Sequence, residues 1–324
     1  MDSGKIFPKR FALALILGIL SEGRAAETYA SDIKPVHRQS VRLSYDAELA
    51  KKGFPSPIVE ARIHGKIGRF ILDTGASIHI IDSHFAQLAD LRSEQSGESV
   101  HSEDSVGSKQ AAALSHTTID VMNVVMGTIS LKNQSIVVID LPKEFHDSDL
   151  AGILSPQEFL SDGEGLLLDL TIPSLELDLF ETLENAPNAK KFEPLKVALP
   201  SAGNEESSVR YMINGFAGRI STIWEIDTGA DGAILRVDTQ AGRSLLNKAK
   251  DTGKKAMAMG VNGKISPMMI APSVAIQFLG KVMQEDVSIE PVPRMMGGDG
   301  MLGMRELRDC TLLLGLKKAS MGCR

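Results

Sequence analysis

Phe70-Ile71-Leu72-Asp73-Thr74-Gly75-Ala76 and Trp224-Glu225-Ile226-Asp227-Thr228-Gly229-Ala230 carry one pattern twice, an apolar strand ending in an aspartate at a tight glycine turn. A hairpin signal precedes each copy, His64-Gly65-Lys66-Ile67-Gly68-Arg69 in one half and Asn214-Gly215-Phe216-Ala217-Gly218-Arg219 in the other. A second landmark follows each, Gly152-Ile153-Leu154 and Asp299-Gly300-Met301-Leu302-Gly303. One Asp-Thr-Gly triplet arises by chance and makes an ordinary strand-to-turn transition. Two copies in matching contexts do not reduce to that. Strands are expected near Val41 to Ser44, Ile58 to Ile63 and Gly68 to Leu72, and again near Leu195 to Leu199, Val209 to Ile213 and Arg219 to Ile226. A two-fold repeat excludes a solenoid, which needs three or more units.

This order of motifs resembles the retropepsin-like and pepsin-like aspartic peptidases, in which each of two lobes supplies one catalytic aspartate. The resemblance implies an all-β, bilobal fold, with two tandem retropepsin-like lobes related by pseudo-two-fold symmetry across a cleft. The expected organisation is a signal peptide at 1–26, an N-terminal tail at 27–39, a first lobe at 40–180, a linker at 181–192 and a second lobe at 193–324. Residues 181–191 mix Asn, Pro, Ala and charged residues without an apolar period, which is the composition of a linker.

Peptide hydrolysis without metal or covalent intermediate needs one group to take a proton from water and another to protonate the carbonyl oxygen. Two adjacent carboxylates supply both, because like charges so close share one proton. Asp73 and Asp227 are the expected pair, one as general base and one as general acid. The resemblance assigns Thr74 and Thr228 to hydrogen bonds that lock the two loops together, while Gly75 and Gly229 let the backbone turn and bring amides near the carboxylates. Many pepsin-like enzymes have a serine or threonine after the triplet; here Ala76 and Ala230 remove a hydroxyl that would stabilise the anion, which points to a mildly acidic optimum. Ser155 stands where the second copy has Gly303, and a serine there is expected to crowd the packing beneath the first aspartate loop.

The expected substrate contacts are Ile71, Ser77, Glu225 and Asp231 beside the loops, and Gly107 and Gly263 in cleft-covering hairpins at Val100 to Ala113 and Ala256 to Met269. Neither hairpin carries the flap tyrosine of pepsin-like enzymes, which favours the retropepsin-like comparison. Glu225, two residues before its aspartate, reads either as a pocket anion that favours a basic substrate side chain or as a solvent-facing strand residue. Asp231 matches a retroviral residue that holds the substrate backbone, against only Ser77 in the first lobe, so unequal half-sites are expected. Met257, Met259, Met268 and Met269 read as a flexible apolar subsite or as core.

Lys5, Lys9 and Arg10 precede the apolar run Phe11 to Leu20, followed by small residues near Ala25 and Ala26, the pattern of a secretory signal. Such a run is shorter than the roughly 20 apolar residues of a bilayer span. Export to a periplasm or outside the cell is expected, with no membrane anchor after signal removal. A net charge of −6 without a basic patch argues against nucleic acid. Export would allow the two cysteines, Cys310 and Cys323, to pair, though spacing alone does not show the geometry. His79, Asp82 and His84 fit no standard zinc spacing, and neither metal nor cofactor is expected. The leading reading is a monomeric aspartic endopeptidase acting on protein or peptide substrates. The alternatives are a peptide-binding module without turnover and a peptidase active only as a dimer.

Overall fold

In Ile58-Val59-Glu60-Ala61-Arg62-Ile63 the polar residues Glu60 and Arg62 face out, while Val59, Ala61 and Ile63 are fully buried, the alternation of a half-covered strand. His64 and Gly65 then adopt positive φ values of 48° and 83°, a two-residue turn whose twist matches the strands it joins. A computed structural model describes residues 38–91, 117–187, 189–198, 209–259, 265–290 and 298–324. The side chains of 117–122, 133 and 257–266 fall outside it. The expected signal peptide, the hairpin at Val100 to Ala113 with Gly107, and Gly263 lie outside the described residues.

Strands dominate. The first half holds β1 (Gln39–Arg42), β2 (Ile58–Ile63), β3 (Lys66–Leu72), β4 (His79–Asp82), β5 (Thr117–Met126), β6 (Ile129–Ile139), β7 (Gly152–Leu154), β8 (Glu164–Asp169) and β9 (Ser174–Leu179). The second holds β10 (Glu193–Ala198), β11 (Arg210–Ala217), β12 (Ile220–Ile226), β13 (Ile234–Arg236), β14 (Lys255–Met259), β15 (Ile265–Phe278), β16 (Lys281–Glu290), β17 (Gly300–Leu302), β18 (Cys310–Leu314) and β19 (Ala319–Cys323). The longest helix among the described residues, Gln240–Thr252, starts at a Thr239 side-chain cap and stops at Gly253 in the left-handed region. No described helix is long and apolar enough to cross a membrane.

One strand order occurs twice. The first half closes a barrel in the order β2-β3-β7-β4-β6-β5. The second runs β11-β12-β17-β13-β16-β15, and the β11–β15 pairing closes that ring as well. In each, the strand leading to an aspartate lies parallel to a glycine-aliphatic-leucine strand, Phe70 opposite Gly152 and Trp224 opposite Gly300. The second hairpin turns at Gly218 and Arg219, whereas Asn214-Gly215, part of the expected signal, lies inside β11.

A separate seam joins the halves. Strands β1, β9 and β8 continue through β18 and β19 to β10, with Leu312 opposite Leu168 and Leu314 opposite Leu166, all four fully buried. Cys310 and Cys323 are paired in a disulfide across β18 and β19, closing a loop of 13 residues worth about 2–3 kcal/mol in the chain-entropy model. The stretch expected as a linker is packed. Phe180–Glu184 is helical, with Phe180 and Leu183 buried against Leu167 and Leu313, and Ala189–Lys191 forms a 3-10 turn. The described residues therefore belong to one compact unit with a continuous core.

Candidate active site

Each aspartate sits where its strand ends. Asp73 N–H still donates to Leu154 O at 3.0 Å and Asp227 N–H to Leu302 O at 3.1 Å, so the glycine-aliphatic-leucine strands hold both residues in register. The chain then folds back onto the carboxylate. Asp73 Oδ1 accepts from Gly75 N–H at 2.7 Å and Ala76 N–H at 3.2 Å; Asp227 Oδ1 accepts from Gly229 N–H at 2.8 Å and Ala230 N–H at 3.1 Å. Amide donors are placed on both carboxyl groups in the same way.

The threonines bring the two loops together. Thr74 N–H donates to Thr228 Oγ1 at 3.0 Å, and Thr228 N–H donates to Thr74 Oγ1 at 3.0 Å. Each hydroxyl also donates across the interface, Thr74 to Ile226 O at 2.9 Å and Thr228 to Leu72 O at 2.8 Å. These four reciprocal bonds are buried, where they are stronger than in water. The glycines permit the approach: a Cβ on Gly75 would lie 2.6 Å from Asp227 Cγ, and one on Gly229 would lie 2.3 Å from Asp73 Oδ2.

The loops set the Asp73 and Asp227 carboxyl groups beside each other, each against the glycine of the opposite loop, and two like charges so close favour one proton between them. Burial first, then the Asp227 charge, push the Asp73 carboxyl well above the ordinary carboxylate range, against the pull of the Gly75 and Ala76 amides. Two partly buried carboxyls that share a proton can take one from water and give one to a carbonyl oxygen.

Ser155 does not crowd its site, contrary to expectation. Its hydroxyl donates to Ala76 O at 2.9 Å, and Gln157 Nε2 donates to the same carbonyl at 2.6 Å and to Thr74 O at 3.1 Å. In the second half Ala230 O accepts instead from Met304 N–H at 2.9 Å, and a Cβ on Gly303 would come within 2.5 Å of Gly232 N. The two halves thus anchor equivalent carbonyls differently, one by side chains and one by backbone.

The amides beneath the loops end on titratable groups. Ser155 N–H donates to His79 Nδ1 at 3.1 Å, so the ring proton sits on Nε2 and is given to Gln134 Oε1 at 3.1 Å. Burial lowers the His79 pKa to about 4, with the Gln134 hydrogen bond working the other way. Gly303 N–H donates to Glu306 Oε2 at 3.0 Å, and burial lifts Glu306 to about 7 against three backbone donors. The histidine signal in the sequence is therefore a structural support.

His79 predicts a pH dependence of stability. Its folded pKa lies below the unfolded value near 6.5, so the unfolded chain binds the extra proton first, and its contribution is present above pH 6.5 and lost as pH falls towards 4. The advantage of the parent over His79→Gln in denaturant unfolding is expected to shrink by about 3 kcal/mol across that interval. Taking the difference cancels the opposing titrations of Glu306 and Asp73, and a flat difference counts against this role.

The expected substrate contacts separate. Ile71 is buried in an apolar cluster with Ile58, Ile139, Phe145 and Ile153, against which Ala76 packs. Ser77 is half-buried after the first turn, and Asp231 is half-exposed and ion-paired with Arg305. Glu225 is 2 % exposed and ion-paired with Arg210, so it neither faces solvent nor offers a bare anion. Nothing in the sequence near Glu225 announced Arg210, which reaches it from the neighbouring strand. Met268 is buried and Met269 packs on the core, favouring the core reading for those two. The β14–β15 pairing, from Lys255 opposite Met269 to Met259 opposite Ile265, forms the second expected hairpin.

Residues 59–151 match the family model described as gag-polyprotein putative aspartyl protease. That match supports the aspartic peptidase family. It covers β2 to β6 and the Asp73 loop, stops before Gly152, and does not reach the second aspartate. No curated protein matches the chain.

Proposed function

We propose that this chain is an aspartic endopeptidase that activates water between Asp73 and Asp227. The observation that carries the reading is the reciprocal Thr74 and Thr228 exchange, which holds the Asp73 and Asp227 loops so close that each loop glycine packs on the opposite carboxyl. The ionised aspartate takes a proton from the water as it attacks the peptide carbonyl, and the protonated one gives its proton to the carbonyl oxygen; collapse of the tetrahedral species expels the amine. The fold in this reading is bilobal, its retropepsin-like lobes at 40–180 and 193–324 related by a pseudo-two-fold axis, which the repeated strand order supports. Both aspartates come from one chain and the seam joins its halves, which favours a monomer over a dimer of equivalent lobes. The accommodation of Ser155 removes one motive for a binding module without turnover. The N-terminal pattern supports export to a periplasm or outside the cell.

Cleavage of a mixed peptide library across roughly pH 3 to 7, the range a shared-proton dyad covers, tests the reading. A bell-shaped, mildly acidic profile is expected. Its acid limb falls as the ionised member of the pair is protonated, and its alkaline limb falls as the pair loses its common proton. Activity confined to strongly acidic pH, or no cleavage at all, would count against it.

A further inference from the structure

Arg210 is tied to the neighbourhood of the dyad by its ion pair with Glu225, two residues before Asp227. Glu225 is opposite Met212 at the end of the β11–β12 ladder, and continuing that register by two residues would set Arg210 opposite Asp227. Residues two apart on a strand leave it on the same face, about 7 Å from each other, so Arg210, Met212, Glu225 and Asp227 share a face. The first half shows what this position touches. There Ile58 is opposite Ile71, Ser56 falls opposite Asp73, and Ser56 Oγ donates to Gly229 O of the other aspartate loop at 3.4 Å.

The same face therefore differs between the halves: Ser56, Ile58 and Ile71 in one, Arg210, Met212 and Glu225 in the other. In the ion pair the carboxylate is the inner member, 2 % exposed, and the guanidinium the outer, 28 % exposed. A guanidinium has five N–H donors and one carboxylate engages at most two in a fork, so the more exposed Arg210 keeps donors beyond those that Glu225 takes. The charge expected of Glu225 alone is neutralised, and the more exposed member of the pair is the cation.

Resting on the peptidase reading above, we propose that Arg210 is a specificity-determining residue that receives a carboxylate side chain of the substrate beside the scissile bond, with Glu225 holding it in position. A lysine or arginine there meets a like charge and is rejected.

Matched peptides carrying Glu, Gln, Lys or Leu beside the scissile bond test this in two ways, by cleavage competition in the parent and by equilibrium binding to Asp73→Asn. Glu is expected over Lys by about ten-fold or more in both. Arg210→Met alone takes the ion-pair partner from a buried carboxylate, so Arg210→Met/Glu225→Leu, which removes the pair together, is the deciding variant. It is expected to lose the preference, whereas Glu225→Gln keeps or increases it. An unchanged preference in the double variant, a preference for Lys, or no peptide binding overturns the proposal. Binding preference without cleavage by the parent would refute the peptidase reading and leave Arg210 as a ligand contact; cleavage without preference would refute only the role of Arg210.

Discussion

Peptide cleavage is expected to fall by at least about 10³-fold when either Asp73 or Asp227 is replaced by asparagine, because each substitution removes the shared proton and one partner of the acid–base pair. The two losses should be alike and should not add in the double variant, since one pair acts as a unit. Stability separates this from a structural explanation. The folded pKa of Asp73 is raised, so the folded state binds the extra proton, and its contribution at low pH is lost as pH rises past the ordinary carboxylate value and through the folded pKa. At pH 7 a neutral asparagine removes that burden, so Asp73→Asn should melt at the parent's temperature or above it. A variant both inactive and destabilised would point to a structural part for the aspartate. Thermal unfolding and kcat/KM on the same preparations decide it.

Thr74→Val and Thr228→Val should each cost about 2–5 kcal/mol. The change keeps the shape but leaves two buried groups without partners, Thr228 N–H and Ile226 O in the first case, Thr74 N–H and Leu72 O in the second. For a chain of this size that corresponds to a fall in Tm of roughly 5–15 °C. Cleavage should fall too, because the hydroxyl exchange sets the carboxyl separation. Serine, which retains the hydroxyl, should recover most of both losses. A valine variant with unchanged Tm would show that the exchange does not hold the loops.

How far the sequence could be read follows from what each feature depends on. Both aspartates, both loop threonines and the two glycine-aliphatic-leucine strands are local patterns. Their repetition marked the matching segments, and the ladders then set Phe70 against Gly152 and Trp224 against Gly300. Ser155 was misjudged because the carbonyl it satisfies, Ala76 O, belongs to a segment far away in sequence, and Gln157 shares that acceptor. Glu225 was misjudged for a related reason: its counter-charge sits on another strand, and burial of a carboxylate is legible only when its cation is known. The seam of β8 with β18 had no local signature, since a run such as Leu166-Leu167-Leu168 fits any buried strand.

That seam governs how far the two halves can part. Two bodies joined by a tether alone can swing apart as jaws, with little penalty beyond the tether's own bending. Here parting the halves would mean unzipping a backbone ladder at Leu312 and Leu314 and wetting four leucines, besides breaking the threonine exchange. The separation of the two aspartate loops is thereby fixed by a girder rather than a joint, and under the proposed peptidase function room for a polypeptide must be built in from the outset.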